Sequence, residues 1–71
     1  MLVGKIARNS RHRLMVTIED HKGQKVVDVR VYQIINDGEL SPTPEGISLA
    51  PENLNALVEL LKDAQKKLMV E

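Results

Sequence analysis

The chain has no cysteine and a single aromatic residue, Tyr32, among its 71 residues. Without cysteine it forms no disulfide and no thiolate metal site, and its two histidines, His12 and His21, are too few for a zinc site. A core of this size rarely contributes more than about 3–5 kcal/mol, so small domains commonly depend on disulfides, a metal or a partner chain. Because the first two are excluded, we expect a homodimer that uses no metal and no cofactor.

The common catalytic motifs are also missing. The four glycines, at positions 4, 23, 38 and 46, are too far apart to form a phosphate-binding loop. No Gly-x-Ser-x-Gly elbow occurs, and the three serines form no recognisable pair of nucleophile and base. We therefore predict that the chain is not an enzyme.

Long apolar runs are absent as well, since no segment approaches the ~18 apolar residues of a membrane span. The apolar start of the chain, Met1–Lys5, is too short for a signal peptide. We expect a soluble intracellular protein, cytoplasmic or nucleoid-associated, with no membrane partner.

Charge is balanced overall, with ten Lys and Arg against ten Asp and Glu, but its distribution is uneven. Residues 1–30 carry seven basic and three acidic side chains, whereas residues 31–71 carry three and seven. The first part could therefore form a basic patch and the second an acidic one. The uneven charge distribution is explained equally well if these charged side chains face solvent and bind no partner.

Apolar residues recur at every second position in the first half of the chain, which predicts strands with one buried face. Residues 2–7 and 14–19 form two such segments, and Lys25–Gln33 forms the clearest one. In that third segment Val27, Val29 and Val31 share one face, while the other carries Val26, Asp28, Arg30 and Tyr32. A tight turn at Asp20–Gly23 should join the second and third segments as an antiparallel pair.

The rest of the chain predicts one more strand and one helix. Asn36–Gly38 is a hairpin signal, and Glu39–Ile47 should return as an irregular strand near an edge, because Pro42 and Pro44 remove two amide donors. From Pro51 the apolar period changes to that of a helix, with a stripe of Leu54, Leu57, Val58, Leu61, Ala64 and Leu68. The prediction is one α+β domain, residues 1–71, with strands over about 2–47 and a helix over about 51–68.

The sequence also predicts how the helix begins and that one ion pair forms within a strand. Pro51 suits the first helical turn, while Ala50 before it is a poor cap, so Ser48 is a candidate cap for a preliminary turn. Asp28 and Arg30 lie on one strand face, two residues apart, and suit a structural ion pair.

Seventeen residues between Asp20 and Glu52 stand in an order and spacing typical of one known family. They are Asp20, Lys22, Gly23, Val27, Asp28, Val29, Arg30, Tyr32, Gly38, Glu39, Pro42, Gly46, Ile47, Ser48, Leu49, Pro51 and Glu52. On these residues, Val16–Leu57 resembles the single-stranded-DNA-binding core of the positive cofactor four family of transcriptional coactivators. The resemblance runs without a gap, and its most specific part is the joint Gly46–Glu52 between sheet and helix.

The resemblance implies a curved four-stranded antiparallel sheet followed by one amphipathic helix, in a homodimer formed through helices and sheet edges. The helix residues expected at that interface are Leu54, Leu57, Val58 and Leu61. It also implies single-stranded DNA as ligand, the transcription machinery as a partner, and a role in transcription, replication or repair. RNA stays open as an alternative to DNA.

Two of this chain's residues, Lys22 and Arg30, match positions where the family contacts DNA. His21 and Gln33 stand where the family places stacking aromatics, and each such platform is worth ~1–3 kcal/mol. Their loss would weaken binding by roughly 30-fold to 10⁴-fold. Tyr32 is expected in the core or interface. The predicted contact set is Arg8, Arg11, Arg13, His21, Lys22, Lys25, Arg30 and Gln33.

The basic turn Arg8–Arg13, longer than the family's usual first turn, is expected to compensate electrostatically. Neutralising about four phosphates predicts a log–log salt slope near ~−3, so binding should be weak, sequence-independent and salt-sensitive.

The alternative function is a dimeric protein-interaction module that has lost DNA binding. An open apolar patch around Leu60 would favour it.

Overall fold

The computed structural model describes residues 1–70 as a four-stranded antiparallel sheet followed by one helix. The strands lie in the order β1-β2-β3-β4, so β1 and β4 are the edges. This confirms the α+β prediction. The elements are β1 (Leu2–Ala7), β2 (His12–His21), β3 (Gln24–Ile35), a 3₁₀ turn (Asn36–Gly38), β4 (Glu39–Leu49) and α1 (Pro51–Leu68). In this part of the chain no helix is long and apolar enough to cross a membrane.

The turn between β2 and β3 is tighter than predicted. Pairing continues to His21 opposite Gln24, so the loop is two residues long and the four-residue turn from Asp20 is wrong. Lys22 has φ 51° and Gly23 has φ 80°, which are the positive angles of a type I′ turn. This turn prevails because its twist matches that of the strands, although it holds Lys22 in a region that disfavours side chains.

Strand β4 is irregular at an edge, as its prolines predicted. Residues 43–45 form a bulge opposite Val31, between the pairs Arg30–Gly46 and Tyr32–Pro42. The Thr43 hydroxyl holds the bulge by donating to the Val31 carbonyl at 2.8 Å. Strand β3 leaves no room for a side chain at Gly46, where an added Cβ would lie 2.7 Å from the Val29 carbonyl oxygen and 2.8 Å from the Arg30 Cα. Glycine is therefore required at this point.

The sheet has one apolar face, defined by Leu14, Val16, Val29, Val31 and Ile47. Leu14 pairs with Val31, and Val29 pairs with both Val16 and Ile47. Residues directly opposite one another in antiparallel strands share a face, so these five side chains form one surface. The alternation predicted for β2 and β3 is thus confirmed.

The opposite, polar face carries the charged side chains at the centre of the sheet, whereas Asp20 and Lys25 near the β2–β3 turn lie on the apolar side. By the same register the polar face holds Lys5, Arg13, Met15, Thr17, Glu19, Asp28, Arg30, Tyr32 and Ser48. The sheet thus separates an apolar surface from a polar one across its thickness.

Few residues of the chain are buried. Among the apolar residues of the described range 1–70, only Met15 and Val31 are buried, at 8 % and 5 % exposed. The radius of gyration is 14.2 Å, against about 11 Å for a compact domain of this length. The accessible surface of 5746 Å² is roughly 30 % larger than expected for a compact 8.0 kDa monomer.

Helix α1 touches the sheet mainly at β3 and β4 and buries none of its residues fully. Leu54 and Leu57 are half-buried, whereas Leu61 is 59 % exposed. Ala50 precedes the helix without a side-chain cap, as predicted. The candidate cap Ser48 is wrong, because Ser48 lies in β4 and its hydroxyl donates to the Asp28 carboxylate at 2.6 Å.

Candidate nucleic-acid interface

The centre of the polar face is an ion pair between Asp28 and Arg30 of β3. Arg30 donates from Nε to Asp28 Oδ2 and from Nη2 to Asp28 Oδ1, both at 3.0 Å. Its Nη1 donates to the Thr43 carbonyl at 3.0 Å, and Ser48 supplies a further hydrogen bond to Asp28. The predicted ion pair is present, and it fixes the Arg30 guanidinium in one orientation.

This network changes the acidity of Asp28. The hydrogen bond from Arg30 lowers the pKa of the Asp28 carboxyl, the hydrogen bond from Ser48 lowers it further, and burial opposes both. The net effect is a pKa below the ordinary value, so Asp28 is ionised at neutral pH. The face therefore holds a bound carboxylate beside a cation whose charge is largely paired.

Thr17 lies directly opposite Asp28 and is 7 % exposed. Its hydroxyl has no hydrogen-bond partner within residues 1–70. A buried hydroxyl without a partner is destabilising, since it loses its hydration on folding. Thr17 thus lacks a hydrogen bond, whereas the neighbouring side chains of Asp28, Arg30 and Ser48 are bonded to one another.

The basic turn between β1 and β2 contains three arginines with different surroundings. Arg8 Nη1 lies 2.8 Å from Glu45 Oε2, an ion pair between side chains that are 50 % and 64 % exposed. Arg13 Nη1 donates to the carbonyls of Asn9 and His12, at 2.8 and 3.0 Å. The side chain of Arg11 has no hydrogen bond or ion pair among the described residues.

The Arg8–Glu45 pair joins the end of β1 to β4, the two edges of the sheet. In a flat sheet these edge strands would be about 14 Å apart, at ~4.8 Å between neighbours. The ion pair crosses the apolar face, and residues from all four strands line one pocket there with it, as expected of the curved sheet that the resemblance implied. Beneath it lies a pocket of about 400 Å³ lined mainly by Ile6, Leu14 and Val31.

The predicted contact residues do not all converge on one groove. Arg13 and Arg30 lie on the same polar face, because Arg13 pairs with Tyr32 and so is diagonal to Arg30. Their guanidinium groups have separate partners, since Arg13 donates to carbonyls of the β1–β2 turn and Arg30 donates to Asp28 and Thr43. His21 shares that face but at the far hairpin, next to Lys22 in the turn. The apolar side of the sheet carries Lys25, which binds Asp20 at 3.2 Å, and Gln33, which pairs with His12.

Lys5 was not predicted, although the structure puts it beside the central cations. It pairs with Met15, which in turn pairs with Arg30, so the three side chains form one row across β1, β2 and β3. Only the strand register reveals this, because Lys5 lies twenty-five positions from Arg30 in the sequence. Lys5, Arg13 and Arg30 give the polar face three basic side chains, which share it with the carboxylates of Asp28 and Glu19.

The predicted interface residues of α1 lie along its exposed apolar side. Leu54 and Leu57 are partly covered, while Val58 and Leu61 are exposed. Leu60 is 66 % exposed, so the apolar patch is wider than the predicted stripe. The surface is open to a partner over most of the helix.

The family model described as Transcriptional Coactivator p15 (PC4) matches residues 9–60, which is well over half of the chain. The chain belongs to the PC4 family. The resemblance found in Val16–Leu57 is thereby confirmed. PC4 proteins are nucleic-acid-binding proteins without enzymatic activity, which makes the basic polar face the first candidate for the ligand.

Solved structures of a PC4 homolog from Burkholderia pseudomallei agree with this fold. The orthorhombic crystal form has a TM-score of 0.86 at 28% sequence identity, over 92% of this chain and 88% of that one. The tetragonal form has a TM-score of 0.85 at 28% identity, over 92% and 96%. The similarity therefore extends over most of both chains.

Proposed function

We propose that this chain is a homodimeric, coactivator-like protein that binds single-stranded DNA weakly, without sequence preference and with strong salt dependence. Such a protein acts in the cytoplasm or on the nucleoid. The observation that carries the proposal is the basic surface of Lys5, Arg13 and Arg30 on the polar face of a PC4-family sheet.

The charges of the polar face support a nucleic-acid ligand. Arg13 is held by two carbonyls, which orient its guanidinium without cancelling its charge. Lys5 forms no ion pair among the described residues and is exposed. Two positive charges therefore remain beside the Asp28–Arg30 pair, and phosphate groups are the ligands that such a surface attracts.

Weak binding is expected from the pairing of the other cations. Lys25 and Arg30 each bind a carboxylate of this chain, so a phosphate must compete with Asp20 or Asp28, and the charge of Arg8 is neutralised by Glu45. The stacking platforms are missing too, since His21 and Gln33 replace aromatics. Affinity would then depend on a few phosphate contacts, and a log–log salt slope near ~−3 follows.

Dimerisation is supported by the surface that one chain leaves uncovered. The excess accessible area, the two-residue apolar core and the exposed apolar side of α1 are all expected of half an obligate pair. We assign Leu54, Leu57, Val58 and Leu61 to the interface. Sedimentation should give a dimer, and a folded monomer at micromolar concentration would contradict it.

The test of the ligand is a titration of a fluorescently labelled thymidine 20-mer at 50 mM and 200 mM salt. We expect saturable binding at 50 mM and a loss of about 50-fold in affinity at 200 mM. A duplex of the same length serves as the control for unpaired strands. The absence of saturable binding at 50 mM salt would refute the ligand assignment.

The second candidate is a dimeric protein-interaction module that no longer binds DNA. It is favoured by Leu60, which is 66 % exposed on α1 beside Leu61 and outside the predicted stripe. If Leu60 remains exposed in the dimer, it forms part of an apolar docking surface. A dimer that fails the DNA titration, and in which Leu60 is accessible to solvent, would favour this module.

A further inference from the structure

We infer that Asn9 organises the basic turn so that Arg11 is its phosphate-binding residue, while Arg8 has a structural role. This inference rests on the proposed function and assigns different roles to residues that the charge pattern alone treats as equivalent.

The Asn9 side chain is the organising group of the turn. Its Oδ1 accepts hydrogen bonds from the backbone N–H groups of Arg11 and His12, both at 2.9 Å, and lies 3.0 Å from His12 Nδ1. Three partners on one oxygen fix residues 9–12 in a side-chain-stabilised turn. The backbone that carries Arg11 is therefore ordered before any ligand arrives.

The turn is also attached to the neighbouring strand. The Ile34 N–H of β3 donates to the Arg11 carbonyl at 2.8 Å, and the N–H groups of Arg8 and Asn9 donate to the His12 carbonyl. The Arg11 main chain thus has contacts on both sides, while its side chain is exposed. A fixed backbone reduces the ordering cost of a contact that the side chain makes with a ligand.

The other two arginines of the turn already have partners. Arg8 pairs with Glu45, and this pair contributes no net charge. Arg13 binds two backbone carbonyls, so its positive charge remains and raises the potential around Arg11. Arg11 is the one guanidinium here whose donors have no partner within residues 1–70, and a guanidinium fork suits bidentate contact with a phosphate.

The experiment measures binding of the labelled thymidine 20-mer between 50 and 200 mM salt by four proteins. These are the unmodified chain, Arg11→Gln, the charge-neutral double variant Arg8→Gln with Glu45→Gln, and Asn9→Ala. Arg11→Gln should weaken binding about tenfold at 50 mM salt and reduce the salt slope by about 0.7, the value for one phosphate of a single strand. The double variant should keep both values within about twofold, because it removes a pair that does not contact DNA.

Asn9→Ala should weaken binding about two- to tenfold in the unmodified chain and less than about twofold in the Arg11→Gln background. This coupling distinguishes positioning of Arg11 from general loosening of the fold. Equal effects of Arg11→Gln and the double variant, or additive effects of Asn9→Ala and Arg11→Gln, would overturn the inference alone. If the unmodified chain does not bind, the proposed function fails and the inference fails with it.

Discussion

The polar face of the sheet and helix α1 differ in how far one chain satisfies them. Around Asp28 and Arg30, charged groups find partners within the chain at 2.6–3.0 Å. Along α1, by contrast, Leu60, Leu61 and Leu68 are between 59 % and 83 % exposed. The first region has its polar groups paired within one chain, whereas the second exposes apolar area that a partner surface could cover.

This difference separates the two parts of the proposed function. Dimerisation depends on apolar area, which is abundant on α1, and DNA binding depends on a few cations, several of which are paired. In the proposed function, the exposed apolar area of α1 therefore supports the dimer more strongly than the paired cations support the ligand. Single substitutions in each region, each compared with a second position, test the two parts of the proposed function separately.

The largest effect should come from placing a charge on the apolar side of α1. Leu61→Asp should weaken the dimer at least about 100-fold, because each copy loses about 1.5–3 kcal/mol of leucine burial. Leu60→Asp, one position away and outside the predicted stripe, should leave the dimer within about threefold. Sedimentation equilibrium measures both, and an unaffected Leu61→Asp dimer would exclude α1 as the interface.

The second largest effect should be a loss of stability at Gly46, where β4 lies against the backbone of β3. Gly46→Ala should reduce the free energy of unfolding by about 3 kcal/mol, because its Cβ would meet backbone atoms that cannot move independently. Gly4→Ala is the control, since its Cβ meets nothing within 4 Å, and it should change stability by less than about 0.5 kcal/mol. Urea unfolding that gives equal values for both would contradict the role of Gly46.

Asp28→Asn should remove about 2 kcal/mol at neutral pH, because it weakens the hydrogen bonds from Arg30 and Ser48. The pKa of Asp28 is lower in the folded chain than in the unfolded one, so the unfolded state binds more protons as the pH falls. The stabilisation is therefore complete above about pH 4 and lost as the pH falls below it.

Urea unfolding between pH 2 and 7 measures this dependence. In Asp28→Asn the fall of stability below about pH 4 should be shallower by the contribution of that one carboxyl. Asp20→Asn, at an exposed ion pair, is the matched control and should change the profile little. Identical profiles for Asp28→Asn and the unmodified chain would show that the network is not stabilising.

The smallest effect should come from Thr17, the unpaired hydroxyl of the polar face. Thr17→Val keeps the shape and removes a buried group without a partner, so it should stabilise the chain by about 1 kcal/mol. Thr43→Val is the comparison, because that hydroxyl bonds to the Val31 carbonyl and its loss should destabilise. Thermal unfolding of the two variants should give shifts of opposite sign.

The sequence predicted the fold well where periodicity or turn chemistry was strong. Alternating valines in β3, the prolines in β4 and Pro51 at the helix start each correspond to one physical constraint, and each prediction agrees with the structure. The β2–β3 turn was wrong because strand twist favours a two-residue loop even with Lys22 at positive φ.

The candidate site was less predictable because it depends on register and side-chain pairing. Lys5 joins Arg30 only through the pairs that cross β2, and Arg8 meets Glu45 across the two edges of the sheet. Ser48 suggested a cap by its position, but it bonds to a carboxylate twenty residues away in the sequence. Local patterns contain no information about such distant contacts.

The most direct test of the account is a methyl NMR titration of the dimer with a thymidine 20-mer at 50 mM salt. Met15 and Val16 are adjacent in β2 and lie on opposite faces of the sheet. Binding at the polar face predicts that the Met15 methyl, between Lys5 and Arg30, shifts while the Val16 methyls do not. Shifts at Val16 with none at Met15 would contradict the assignment of the polar face as the DNA-binding surface.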